Sequence, residues 1–179
     1  MTGTCWRGIS FFGVSMEIRR EKVKAGCESV WDYPRPPRVE PFNGHLRVIF
    51  GGREIASTNR AIRVLETSHP PNYYIPRQDI AEAYLYSASG NSFCEWKGIA
   101  NYITVRVEDQ EAVKAGWTYL DPTASFSSLR GYVAFYAGLM DACYVDGEKV
   151  TPQPGGFYGG WITSKVTGPF KGEPGTMFW

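Results

Sequence analysis

Within the nine residues Cys94-Glu95-Trp96-Lys97-Gly98-Ile99-Ala100-Asn101-Tyr102 the chain places a thiol, an indole, an ammonium and a phenol. A thiolate is a nucleophile, and a neighbouring cation such as Lys97 favours it over the thiol. The chain has two histidines, so the base for a Cys94 nucleophile has little choice. His69 is the candidate, with Glu66 to orient its imidazole. A second chemistry makes no bonds. Trp96, Trp117 and Trp161, helped by Tyr74 and Tyr102, would wall a cleft, with Lys97 and His69 as sparse directional polar contacts. Both readings compete with a bland one. Tryptophan and tyrosine often fill cores with their polar ends hydrogen-bonded, and a lone cysteine on a strand is more often an inert small hydrophobe.

The whole chain limits what such a cluster can belong to. Its 179 residues have the size of one domain able to bury a real core. With 43% hydrophobic and 21% charged residues it reads as globular, and no apolar run reaches the roughly 20 residues that cross a bilayer. No membrane partner is expected. A net charge of +1 lacks the electropositive footprint that nucleic-acid binding requires. Arg19, Arg20, Lys22 and Lys24 are the one local excess, interrupted by Glu21, and read as a solvated tail. Cys5, Cys27, Cys94 and Cys143 lie far apart, with no C-x-x-C pair and no histidine cluster. Neither a local zinc site nor a disulfide framework follows, and reduced thiols in a cytoplasmic setting are the simplest expectation. No metal and no cofactor is expected.

The elements that must position the cluster are mostly strands. Twenty glycines, 12 prolines and 15% aromatics favour short strands and tight turns over long helices. Residues 1–27 read as an N-terminal extension that stays flexible, its first fifteen preceding a more ordinary polar beginning at Met16, and 28–179 as one β domain. Trp31-Asp32-Tyr33-Pro34-Arg35-Pro36-Pro37 is expected to be extended, because proline restricts itself and its predecessor. Leu46 to Phe50, Gly51-Gly52 and Arg53 to Ser57 form a hairpin, and Arg60 to Leu65 a further strand. Asn72 to Ile75 is a short aromatic strand stopped by Pro76, with one or two helical turns over Gln78 to Ala83. Gly98 marks a bulge in the Cys94 segment, and Ile103, Val105 and Val107 alternate with polar residues as a half-buried strand does. Trp117 to Leu120 is β-prone, Ser125 to Arg130 a short helix, and Tyr132 to Tyr136 a strand. Asp146-Gly147 turns a second hairpin. The Gly- and Pro-rich segment from Pro152 is too aromatic for a linker, so Phe157, Tyr158, Trp161 and Phe170 should dock on the body.

Five motifs together carry a resemblance. They are Trp31-Asp32-Tyr33-Pro34-Arg35-Pro36-Pro37, Ser68-His69-Pro70-Pro71-x-Tyr73-Tyr74-x-Pro76, Cys94-x-Trp96-Lys97-Gly98-x-Ala100-x-Tyr102, Trp117-x-Tyr119-x-Asp121-Pro122 and Gly159-Gly160-Trp161-Ile162-Thr163-Ser164. From about Glu28 onward the chain resembles domain of unknown function family 427, which carries a nucleotidyltransferase-like label. The resemblance implies a small, mainly β, antiparallel two-sheet domain of β-tent-like form with one or two short helices. That group includes methionine sulfoxide reductases of one type and the cereblon ligand-binding domain. The latter implies an aromatic cage for a flat heterocycle or a cation. Many members of the group hold zinc with two C-x-x-C pairs, absent here. A nucleotidyltransferase needs a phosphate-cradling loop or paired acids for Mg²⁺, and neither pattern occurs.

Three functions are therefore weighed. The first is a small-molecule-binding β domain whose aromatic pocket is built on Trp96, Lys97, Tyr102, Tyr74, Trp117 and Trp161, its small molecule unidentified. The second is a cysteine-dependent or nucleotidyltransferase-like enzyme using Cys94 and His69. The third is a protein-interaction module that binds a partner or forms a homodimer through Trp31, Phe178 and Trp179.

Overall fold

The computed structural model describes Ile18, residues 20–176, Phe178 and Trp179. Cys5, and the expectation of a flexible extension as far as it concerns residues 1–17 and 19, lie outside the described residues. The chain enters through β1 (Glu28–Ser29) and a single 3-10 turn over Val30–Asp32, then β2 (Arg38–Phe42), β3 (Leu46–Phe50), β4 (Arg53–Thr58), β5 (Ala61–Leu65) and β6 (Asn72–Tyr74). Short 3-10 turns at Arg77–Asp79 and Glu82–Tyr84 lead to β7 (Leu85–Cys94), β8 (Gly98–Val107) and β9 (Gln110–Thr118). A 3-10 segment at Ala124–Leu129 precedes β10 (Val133–Phe135), and another at Ala137–Leu139 precedes β11 (Ala142–Val145) and β12 (Glu148–Lys149). The tail adds β13 (Thr151–Pro152), β14 (Trp161–Ile162) and β15 (Val166–Thr167).

These strands form a mainly antiparallel β architecture. One four-stranded sheet runs β12-β11-β3-β4 and another β10-β9-β8-β7, while β2-β5-β6 makes a third. The third joins the second through Ile75 and Val133, whose amides and carbonyls exchange bonds of 2.8 and 2.9 Å. Seven strands thus lie in one continuous surface, packed on the β12-β11-β3-β4 sheet. The two-residue pair of β1 with β15 is parallel. Both glycine-containing turns behave as their sequences demand. Gly51 and Gly52 have φ of 59° and 66°, and Asp146 and Gly147 of 50° and 82°, the left-handed pair that matches the twist of a hairpin.

Away from β7, the long surface carries a buried cluster on each of its faces. Toward the other sheet point Tyr73, Ile75, Ile103, Val105, Val107, Val133 and Phe135, joined there by Leu46, Val48, Ile55 and Trp161. On the opposite face Tyr74, Ala100, Trp117, Tyr119 and Ala134 form a second cluster, covered by Phe126 and Leu129 of the 3-10 segment. Strand alternation explains the division. Ile103, Gly116 and Phe135 are cross-strand partners on the first face, while Tyr102, Trp117 and Ala134 are partners on the second.

Three expectations need correction. Trp31 and Asp32 are not extended but lie in a 3-10 turn capped by the Ser29 hydroxyl, because proline constrains only its immediate predecessor, here Tyr33. Gly98 marks no bulge; with φ of 93° it closes a hairpin whose tip is Glu95-Trp96-Lys97, Cys94 pairing directly with Gly98. The aromatic tail docks unevenly: Trp161 is buried and Phe170 packs against Val30, Tyr33 and Leu65, but Phe157 is 69% exposed. Of the rings weighed for interaction, Trp31 packs edge-on against Trp179 at 5.3 Å and donates to the Pro169 carbonyl at 2.9 Å, whereas Phe178 is exposed. No helix among the described residues is long and apolar enough to cross a membrane.

Candidate functional site

The Cys94–Gly98 hairpin tip is held from outside its own strands. Thr123 donates its hydroxyl to the Trp96 carbonyl at 2.6 Å and its amide to the Lys97 carbonyl at 3.2 Å. Asp121-Pro122 delivers Thr123 to this position, and the positive φ of Gly98 lets the chain return beneath it. The clamp turns the tip inward. Lys97 is 9% exposed, an unusual burial for a lysine on a hairpin tip. Its ammonium stands 5.8 Å from the Phe126 ring centroid, and among the described residues it makes no ion pair.

Opposite the tip, the turn 66–71 is fixed by both ends of the described chain. Ser68 donates its amide to Val30 at 3.0 Å and accepts from the Lys171 amide at 2.9 Å. Ser68 itself takes a φ of 70°, which swings His69 back so that its Nδ1 donates to the Thr67 carbonyl at 3.0 Å. A carbonyl can only accept, so the neutral ring carries its proton on Nδ1 and leaves Nε2 as an acceptor. Glu66 does not orient this ring; it is paired with Arg35 at 3.3 Å.

The third wall comes from the tail. Gln153, 4% exposed, donates through its amide to the Lys171 carbonyl at 2.8 Å and accepts from Gly160 at 3.1 Å. This staple closes the excursion Pro154 to Gly159 at its base. Tyr158 is thereby laid edge-on to His69, centroids 4.8 Å apart. Gly159 sits against the Trp117 indole so closely that a Cβ would overlap its far edge.

Tip, turn and tail enclose a cavity of about 440 Å³. His69, Cys94, Trp96, Lys97, Tyr102 and Trp117 line it. Two further candidates stand elsewhere. Tyr74 lies behind the wall, 1% exposed, where its hydroxyl accepts from Trp117 Nε1 at 3.2 Å. Trp161 belongs to the core between the sheets, donating Nε1 to the Phe135 carbonyl at 3.0 Å. Sequence reasoning did not assign to the pocket Tyr119, Tyr136, Asn72, Phe157, Tyr158 and Lys171, which also line it. Tyr119 was legible two residues after Trp117, on the same face of a β-prone segment. Tyr136 continues the alternation of β10.

Electrostatics mark the floor of the cavity. Burial pulls the Lys97 ammonium down, but the Tyr74 phenol, the Cys94 thiol and the Glu66 carboxylate hold it on balance above an ordinary lysine. The phenol and thiol act only once ionised, at alkaline pH; at neutral pH Lys97 is a buried cation. Burial, then the Tyr74 phenol and the Cys94 thiol that face it, push the Tyr119 phenol far up. Burial and the neighbouring Tyr102 push Tyr136 up to about 12. Burial also lowers the His69 imidazole, against the opposing Glu66 carboxylate, so the ring is neutral at pH 7. Trp96 Nε1 and Asn72 Oδ1, on cavity-lining residues, are buried without hydrogen-bond partners. Among the described residues no three His, Cys, Asp or Glu side chains stand together in a way that would hold a metal.

Residues 38–146 match the model of the family described as Domain of unknown function (DUF427). The chain belongs to that family. The nucleotidyltransferase label in the name of the DUF427 model assigns no reaction to this chain. No curated protein matches the chain. The DUF427 match takes in the hairpin tip, the His69 turn and the Trp117 strand, but Phe157, Tyr158, Gly159 and Lys171 of the cavity lie beyond it.

Proposed function

We propose that this DUF427 protein is a small-molecule-binding β domain whose ligand seats in the cavity between the Cys94–Gly98 tip, the His69 turn and the Tyr158 loop. One observation carries the reading. A cavity of about 440 Å³ is walled by rings from three distant parts of the chain, with a buried lysine and a neutral histidine among its polar groups, a combination found in ligand sites. The unpartnered Trp96 Nε1 and Asn72 Oδ1 support it, because buried polar atoms in folded proteins nearly always find a partner. The test is a panel of flat organic metabolites read by tryptophan fluorescence and thermal shift. A ligand quenches the wild type, and Trp96→Ala abolishes the quench. A panel that moves neither signal overturns the reading.

A second reading, a cysteine-dependent enzyme, draws on one juxtaposition. Cys94, Lys97 and His69 line the same cavity, and His69 Nε2 is an unprotonated acceptor. Alkylation of Cys94 against pH decides it. A rate that follows an apparent pKa near the ordinary value of about 8.5, unmoved by Lys97→Met, removes this reading and leaves the binding one intact.

A further inference from the structure

The cavity contains an imbalance that its aromatic walls do not explain. Its buried cation, Lys97, has no carboxylate within 4.0 Å among the described residues, whereas its acids are placed otherwise. Glu66 is paired with Arg35 at 3.3 Å, and Glu95 stands exposed on the tip. The other lining cation, Lys171, is partly exposed and already donates to the main-chain oxygen of Trp179 at 2.8 Å. An ammonium withdrawn from water without a counter-charge is costly, and chains keep such groups where something supplies the missing partner.

We propose, resting on the binding reading above, that the ligand is a planar aromatic carboxylate whose anionic group meets Lys97 while its ring lies among Trp96, Tyr102, Trp117 and Tyr136. Three features select this class. The buried positive charge disfavours a cationic guest, although ring cages commonly take cations. A single ammonium suits a monoanion. Phosphate dianions are usually gripped by arginine forks or by backbone amides at a helix start, and none stands at this floor; Glu66 and Glu95 would also repel a polyanion. The volume accommodates one or two fused rings rather than a long chain. Aligned with the carboxylate, an N–H on the ring system would find an acceptor in His69 Nε2, which has no donor among the described residues.

The test uses a matched pair of probes, indole-3-carboxylate and indole-3-carboxamide, titrated by calorimetry into the full chain at low ionic strength. The expected result is at least tenfold tighter binding of the carboxylate. Lys97→Met removes that preference and retains the amide, Lys97→Arg keeps it, and Lys149→Met, at an exposed lysine of β12 outside the cavity, leaves it unchanged. Lys97→Gln serves as a second neutral variant, and near-ultraviolet circular dichroism confirms that each variant is folded. Equal affinity for the two probes overturns the anion proposal while leaving the binding reading in place. A preference that survives Lys97→Met overturns the assignment to Lys97. If neither probe binds, the proposal falls, and if the wider metabolite panel also fails, the binding reading falls with it.

Discussion

Replacing Lys97 by methionine should make the ligand-free protein more stable. Lys97 is 9% exposed and its ammonium is unpaired among the described residues, and transferring such an ion out of water costs several kcal/mol even after relaxation. Against this stands the attraction of the Phe126 ring, whose centroid lies 5.8 Å away, worth about 0.5–2 kcal/mol for a desolvated cation, and a longer-range contribution from Glu66. Methionine keeps an unbranched apolar stem of similar length, so little packing is lost. The difference is a gain of about 2 kcal/mol, which for a chain of this size raises the melting temperature by roughly 4–8 °C. The assay is urea unfolding at pH 7 followed by tryptophan fluorescence, with calorimetric melting as a second reading. The Thr123 amide clamp on the tip is made to the backbone carbonyl of Lys97 and survives the substitution, so the hairpin keeps its position. A Met variant that is instead less stable by 1 kcal/mol or more would mean that the charge is compensated within the folded chain. It would refute the reasoning that an external anion is missing.

Four other measurements probe the same geometry. Because burial lowers the His69 imidazole from 6.5, the unfolded chain binds more protons than the folded one just below that pH; stability from this group is complete above pH 6.5 and is lost as pH falls toward the lower folded value. Urea midpoints between pH 5 and 8 should therefore slope upward in the wild type and flatten in His69→Gln, since the lowered carboxylates Glu28, Asp79 and Glu82 act at lower pH. Gly159→Ala, whose Cβ would overlap the Trp117 indole, should cost about 1–3 kcal/mol in unfolding free energy through overpacking. Gly156→Ala, with φ of 68° and no atom within 4 Å, should cost only about 1 kcal/mol from backbone strain and leave the Trp117 fluorescence environment unchanged. Peptide mapping after brief alkylation should find Cys94 and Cys27 modified but not Cys143, which is 1% exposed and whose thiol burial pushes up.

Much of the architecture was legible where one face is wet and the other dry. Ile103, Val105 and Val107 alternate in sequence and are all buried, and the Gly51-Gly52 and Asp146-Gly147 turns declare their hairpins. Strand β7 was not legible. Its Ser87 to Ser92 stretch is polar and mostly exposed on both faces, so no alternation betrays it, and it exists because β8 offers a ladder. Strand β2 was hidden by Pro41, which a central strand would reject but which the edge of β2-β5-β6 accepts opposite Ile62. The site was half legible for a related reason. Residue type says that Tyr74 and Trp161 are aromatic, not which core they enter. Tyr73 and Tyr74 are adjacent in β6 and so face opposite sides. Trp161 follows Tyr73 into the inter-sheet core, 5.4 Å between ring centroids, rather than following Trp117 to the cavity.

The Gln153 staple bears on how the pocket comes into being. The sheets that supply its floor and two of its sides are complete once β10 has paired with β9 and Ile75 with Val133. The remaining side is brought in by a few residues that reach it only when Gln153 has engaged both Gly160 and Lys171. Gln153 makes both of those bonds through its side-chain amide, so the third wall of this half-open cleft hangs on one residue outside the two large sheets. Under the proposed binding role, the wall that completes the cleft is thus set by a short excursion apart from the strands, so a change there bears on the cleft before it bears on the scaffold beneath it.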